Sequence, residues 1–155
     1  MKLHVCVVGR LRAGPERDLI GDYLGRFDKT GRALGLGPVR VTEVEDKKGG
    51  GPAAEAALLR KALGPGAICV LDERGRTMTS PDFADAVARW RDQGSPEAHF
   101  VIGGADGLDP GLRAEADMAL SFGAMVWPHM LARVMLAEQL YRAASILAGS
   151  PYHRA

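Results

Sequence analysis

Residues 67–104 read AICVLDERGRTMTSPDFADAVARWRDQGSPEAHFVIGG, and this stretch decides the fold. Ala67 to Leu71 is a short apolar run of the kind that is buried on both faces of a sheet. Ser80-Pro81-Asp82 then starts a helix. Ser80 is read as the N-cap, Pro81 sits where its missing N–H costs nothing, and Asp82 lies near the positive end of the dipole. The predicted helix runs to about Asp92, and His99 to Ile102 is a second apolar strand, stopped by Gly103-Gly104. A strand, a helix and a strand in that order imply a parallel pair joined by a helical crossover.

The same alternation extends in both directions. Leu3 to Val8 is a β-branched strand ending at Gly9, and Pro15 opens an amphipathic helix to about Leu34. Val39 to Val44 alternates as a half-buried strand does, and Asp46 to Pro52 is a basic, glycine-rich loop. Pro52 to Leu63 is alanine-rich and helical. After the glycine pair, Asp109-Pro110 starts a shorter helix, Met118 to Phe122 is a fifth strand, and Met130 to Ala148 is the last helix. Ser150 to Ala155 is a tail. The expected fold class is α/β: a mostly parallel sheet flanked by helices, in one domain over residues 1–155.

Composition narrows the function. With 20 basic and 19 acidic side chains the 155-residue chain has a formal net charge of +1, which removes the easiest argument for nucleic-acid binding and leaves only a local basic patch. Hydrophobic residues at 46% and charged residues at 25% exclude extensive disorder. The 20 glycines exceed the usual ~7% but follow no triplet period, so they read as turns and close backbone approaches rather than collagen. Cys6 and Cys69 cannot make a disulfide framework or a zinc site alone, and inside strands they read as small buried hydrophobes. No His and Cys stand at metal-ligand spacing, so no metal is expected. Neither a signal peptide nor a membrane span is read, and the expected compartment is the cytoplasm.

Ligands on parallel sheets bind beyond the C-terminal ends of strands, which directs attention to the segments after Leu71, Ile102 and Phe122. Leu71-Asp72-Glu73-Arg74-Gly75 can meet ribose hydroxyls or a cation, or be a solvated turn. Gly103-Gly104-Ala105-Asp106-Gly107 removes side chains where a ligand or another backbone comes close; its spacing matches neither the dinucleotide fingerprint nor the P-loop. Phe122 to His129 (FGAMVWPH) can hold a purine through backbone groups while apolar side chains enclose the ring, or it can pack core.

Two further features stand out near the C-terminus. The last helix carries Leu131, Val134, Met135 and Ile146 on one face and Leu136, Leu140, Ala143 and Leu147 on the other, so it is expected to be buried on both, the second against a copy of the chain. Glu138 and Arg142 are spaced to form an ion pair or to line a site. In the tail, Tyr152 can stack or donate, His153 titrates near neutrality and Arg154 can clamp phosphate. Residues 129–155 hold Arg133, Arg142 and Arg154 against Glu138 alone, which reads as a basic footprint; Lys47 and Lys48 add another. His4 and His99 read as ordinary strand residues, and His129 as a capping residue.

Taken together the segments carry more than each does singly. Leu71-Asp72-Glu73-Arg74-Gly75, Ile102-Gly103-Gly104, Leu120-Ser121-Phe122, Pro128-His129, Arg133, Glu138-Gln139, Tyr141-Arg142-Ala143 and Pro151-Tyr152-His153-Arg154 stand at fixed spacings. In this the whole chain resembles the YbeA-type branch of the SPOUT methyltransferases. The resemblance implies a C-terminal trefoil knot and a homodimer. It also implies S-adenosylmethionine as cofactor and methylation of N3 of a pseudouridine in 23S rRNA, in the helix 69 loop of the assembled ribosome. Carried over by position, the cofactor would meet Leu71, Gly103, Gly104, Gly123, Ala124, Met125, Val126, Trp127 and Pro128; Trp127 is larger than the residue expected there. Tyr152 and His153 would order the target base, with Arg154 and Arg142 on phosphate. The competing readings are a nucleotide-dependent dehydrogenase, a non-catalytic ribosome-associated dimer, and a SPOUT enzyme acting on another RNA. The missing dinucleotide fingerprint counts against the first, and the glycine loop with the Pro128-His129 and Tyr152-His153-Arg154 segments against the second.

Overall fold

Buried apolar runs form the middle of the structure, a computed structural model that describes residues 1–154. The elements are β1 (Lys2–Val8), α1 (Pro15–Gly31), β2 (Val39–Val44), α2 (Gly51–Ala62), β3 (Ala67–Arg76), α3 (Ser80–Asp92), β4 (Glu97–Ile102), α4 (Pro110–Glu115), β5 (Met118–Leu120) and α5 (His129–Leu147). The strands make one five-stranded sheet in the order β2-β1-β4-β3-β5, every pair parallel. Leu3, Val5 and Val7 of β1 and Phe100 and Ile102 of β4 share a core with Phe27 of α1, Phe83 and Val87 of α3, and Leu136 and Leu140 of α5. Cys6, Val8, Val70 and Val101 belong to a second core under Ala56 and Leu59 of α2 and Leu112 of α4. Covering both faces is what makes near-continuous apolar strands stable, and the α/β expectation holds. Burial pushes the Cys6 thiol up to about 11 and the Cys69 thiol to about 12, so both behave as inert hydrophobes.

Several local expectations are corrected. The N-cap of α3 is Thr79, which has an extended backbone and whose hydroxyl accepts the Asp82 N–H at 3.2 Å; Ser80 is already helical and donates to Gln139 Oε1 at 2.7 Å. The first helix ends at Gly31, followed by a 3-10 turn over Arg32–Leu34; Leu36 N–H donates to Gly31 O at 2.9 Å, and a Cβ at Gly31 would stand 2.7 Å from Leu36 O. Strand β3 continues past Leu71 to Arg76 through a bulge: Leu71 and Arg76 both pair with Leu120, while Asp72 Oδ1 accepts the Arg74 N–H at 2.9 Å. Strand β5 stops at Leu120, two residues short of the expected Phe122. The last helix is buried on one face only within the chain. Leu136, Leu140, Ala143 and Ala144 are buried, whereas Leu131 is 41% exposed and Val134 and Met135 are half-buried. That second face is covered only in part, with Leu19 and Tyr23 of α1 and Phe122 beside Val134 and Met135.

His4 and His99 are fully buried at the lower end of the sheet, their Nδ1 atoms 2.8 Å apart. His99 Nε2 faces Pro65 O at 3.4 Å and therefore carries a proton, which leaves its Nδ1 to accept from His4 Nδ1–H. His4 Nε2 then accepts from the Thr42 hydroxyl at 2.8 Å, and Arg40 and Glu97 flank the chain of bonds. A second proton has no place in this line. Burial, with Arg40 and His99 adding to it and Glu97 opposing, depresses His4 from 6.5 to about 4. Protonation therefore favours the unfolded chain. The stability His4 contributes is complete above pH 6.5 and is lost as pH falls toward about 4. The loss amounts to about 3 kcal/mol. Urea titrations at pH 7.5 and pH 4.5 check this, with His4→Gln expected to flatten the difference.

Candidate active site

A cleft of about 330 Å³ opens beyond the C-terminal ends of β3, β4 and β5. Its walls are Leu71–Arg74 after the regular part of β3, Ile102–Leu108 after β4, and Phe122, Gly123, Met125, Val126 and Trp127 between β5 and α5, with His129 at the start of α5. The crevice arises because the outgoing segments of adjacent parallel strands diverge at this end.

The glycines shape it. A Cβ on Gly103 would stand 2.9 Å from Gly107 O, so the turn closes only without a side chain. Gly107 N–H donates to Gly104 O at 3.0 Å, and Gly107 itself has φ +88°, the left-handed region open to glycine. On the other wall Ser121 is buried; its Oγ lies 3.0 Å from Glu73 O and accepts the Gly123 N–H at 3.0 Å, fixing the start of the loop. Beyond that anchor Met125 is 75% and Val126 80% exposed, an apolar flap with little to pack on.

Charges on the two sides differ. Asp72 Oδ2 accepts from Arg113 Nη1 at 2.6 Å; burial works against its ionisation, but the Arg74 N–H and the Arg113 guanidinium hold its carboxyl below the usual range. Glu55 of α2 lies behind Gly104 with Oε1 buried and without a hydrogen-bond partner among the described residues. Burial first, then Asp106 and Asp46, push its carboxyl up. Sequence reasoning missed Glu55, since an acidic residue in an alanine-rich helix carries no local signal.

Tyr152 and His153 pack on α5. Tyr152 OH donates to Glu138 Oε1 at 3.0 Å, the Tyr152 and Tyr141 rings are 4.6 Å apart, and Arg142 lies over the Tyr152 ring at 4.8 Å. Burial and the Glu138 carboxylate push the Tyr152 phenol up to about 12. Arg142 bonds Glu138 at 2.5 Å and donates from Nη1 to His153 Nδ1 at 3.1 Å; Arg154 is exposed. The tail packs along the second half of α5, and Glu138, which holds Tyr152, lines a groove together with Phe122 of the cleft wall. His129 and Arg142 are 13 residues apart, about 20 Å along the axis at about 1.5 Å per residue.

The expected basic footprint is corrected as well. Arg133 is buried, donating to Glu43 Oε2 at 2.9 Å, Val8 O at 2.9 Å and Gly9 O at 2.7 Å, and Arg142 is neutralised by Glu138. The carboxylate that cancels Arg133 comes from β2, 90 residues earlier, which a count over residues 129–155 does not see.

The model of the family described as predicted SPOUT methyltransferase matches residues 1–153. The chain belongs to the SPOUT methyltransferases. Ribosomal RNA large subunit methyltransferase H of Dinoroseobacter shibae is 75% identical to this SPOUT chain over 155 residues, 99% of each protein. The protein of the same name from Ruegeria pomeroyi is 72% identical with the same coverage. A probable methylase family protein from Haemophilus influenzae matches in fold with a TM-score of 0.55 at 13% identity, covering 99% of this chain and 70% of that one. In this SPOUT chain Leu71, Gly103, Gly104, Gly123, Met125, Val126 and Trp127 line one cleft; Ala124 and Pro128 belong to the same loop without forming its wall. Tyr152, His153 and Arg142 form a second cluster, none of which lines the cleft. Among the described residues no helix is long and apolar enough to cross a membrane, and no group of three or more metal-ligating side chains converges.

Proposed function

We propose that this SPOUT chain methylates N3 of a pseudouridine in the helix 69 loop of 23S rRNA on the assembled ribosome, in the cytoplasm, using S-adenosylmethionine. The observation that carries the reading is a glycine-floored, apolar-lidded cleft in a SPOUT chain whose curated relatives are ribosomal RNA large subunit methyltransferases. The cleft fits the cofactor: the turn after β4, which closes only without side chains at Gly103 and Gly104, forms one wall, and Met125, Val126 and Trp127 are free to cover an adenine ring. Bound there, S-adenosylmethionine would supply an electrophilic methyl group; Gly103, Gly104 and the loop from Gly123 to Trp127 would hold it, and solvent would take the N3 proton.

The chain's own residues position the partners. Tyr152 and His153 order the target base, and exposed Arg154 is available to a phosphate. Arg142 is engaged by Glu138 and His153, so its part is to hold His153 in place. The reading includes a homodimer in which one chain's tail serves its partner's cleft. The open face of α5 supports this: Leu19, Tyr23, Val134 and Met135 line a groove of about 250 Å³. The C-terminal trefoil knot is part of the same proposal, with the whole chain acting as one domain.

Labelled methyl transfer to ribosomes lacking the modification, followed by mapping of the methylated nucleotide, tests the reading. A methyl on any other nucleotide or RNA overturns the substrate assignment. Gly103→Ala is expected to weaken S-adenosylmethionine about tenfold or more, since the new Cβ meets Gly107 backbone that cannot swing away. Calorimetric titration checks it, and unchanged affinity removes the glycine turn from the cofactor site.

A further inference from the structure

The glycine turn of the cleft is backed by a half-buried carboxyl group that has no ion-pair partner among the described residues. Glu55 Oε2 lies 2.8 Å, and Oε1 3.2 Å, from where a Cβ on Gly104 would stand. Oε1 is buried and has no hydrogen-bond partner among the described residues. A carboxylate oxygen taken from water without a donor is costly, so such a group in a stable fold calls for a reason. The titratable groups that face it add no compensation. Asp106, in the glycine turn itself, is exposed and has no ion-pair partner among the described residues. Asp46, before α2, accepts the backbone N–H groups of Lys48 and Gly50. Asp72, across the cleft, is by contrast paired with Arg113. One wall of the cleft is therefore neutralised and the other is not. Only the backbone of a glycine separates Glu55 from whatever touches Gly104 inside.

We infer that Glu55 is a specificity-determining residue of the cleft, whose charge acting through Gly104 favours the positively charged sulfonium donor over its neutral thioether product. The inference rests on the methyltransferase reading. Donor and product differ by one methyl group and one positive charge, and apolar or hydrogen-bonding contacts scarcely distinguish them. A fixed carboxylate one backbone away does, because a charge interaction in a partly desolvated wall falls slowly with distance. Asp106 reinforces the field from the turn. The consequence for turnover is release: once the methyl group leaves, the attraction to Glu55 and Asp106 is lost and the product dissociates.

Calorimetric titrations of the full-length protein with S-adenosylmethionine and with S-adenosylhomocysteine test this. Glu55→Gln keeps the shape and removes the charge. It is expected to weaken the donor about tenfold while the product changes less than about twofold. Asp106→Asn is expected to move the ratio the same way by less. Equal losses for both ligands make Glu55 a scaffold residue and overturn the inference, as does an unchanged ratio. Should Glu55→Gln fail to fold, Asp106→Asn on the exposed turn decides by the same ratio. A wild-type protein that binds neither ligand overturns the methyltransferase reading itself, which is a separate result.

Discussion

Met135→Glu is expected to lower methyl transfer about a hundredfold or more, while leaving the chain folded and its proposed S-adenosylmethionine binding intact. The expectation follows from the placement of the two clusters. Within one chain Arg142, which holds His153, stands about 20 Å along α5 from His129 at the cleft, and the proposed homodimer places a partner's tail closer to that cleft. On the proposed reading a second chain brings its tail there. Met135 sits half-buried on the partly covered face of α5, beside Val134 and Leu19. A carboxylate at that point would have to be desolvated without a partner when two copies meet. Misplacing reactants by even about 1 Å costs about 10²-fold, and losing the partner tail costs at least that. Sedimentation velocity reads the oligomeric state and single-turnover assays the rate. Mixing Gly103→Ala chains with His153→Ala chains should recover part of the activity, because a mixed dimer holds one intact cleft facing one intact tail. A fully active monomeric Met135→Glu protein would sink the composite site.

Arg133→Ala is expected to destabilise the fold by about 3 kcal/mol, the lower end for breaking a buried ion pair, since Glu43 retains some solvent contact. Three acceptors lose their donor at once: Glu43, Val8 O and Gly9 O. Val8 and Gly9 lie at the end of β1, and Glu43 also accepts the Leu11 N–H, so the loss loosens the joint between β1, β2 and the first turns of α5. Arg133→Lys should recover only part of the stability, because an ammonium cannot spread over two carbonyls and a carboxylate as the planar guanidinium does. Urea unfolding at pH 7.5 gives the difference. A loss below about 1 kcal/mol would show that water takes over these acceptors readily.

The elements that were legible beforehand share one property: their signals are local. Residues 67–104 announce a buried strand, a helix with an aspartate in its first turn, and a strand stopped by two glycines, and each of these is present. The expected boundaries fail where a neighbour in space intervenes. Ser80 resembles a cap as well as Thr79 does, but Gln139 of α5 takes its hydroxyl, and Thr79 caps instead. Strand β3 ignores the polar residues after Leu71 because β5 offers Leu120 as a pairing partner across a bulge. The double-sided character of α5 was visible as a pattern, yet only one of its faces is fully covered inside the chain.

By itself, then, the sequence determined the alternation of strands and helices, the parallel α/β class and the three segments that line the cleft. Periodicity, caps and glycine turns are written in residues next to one another. The tertiary structure alone decided the pairing of Arg133 with Glu43 and the place of Glu55 behind Gly104. These depend on the strand order β2-β1-β4-β3-β5, which sets chain segments far apart in sequence side by side. A charge that counts as a free cation in the sequence can thus be a buried structural bond. An acidic residue in an unremarked helix can likewise become the electrostatic wall of a site.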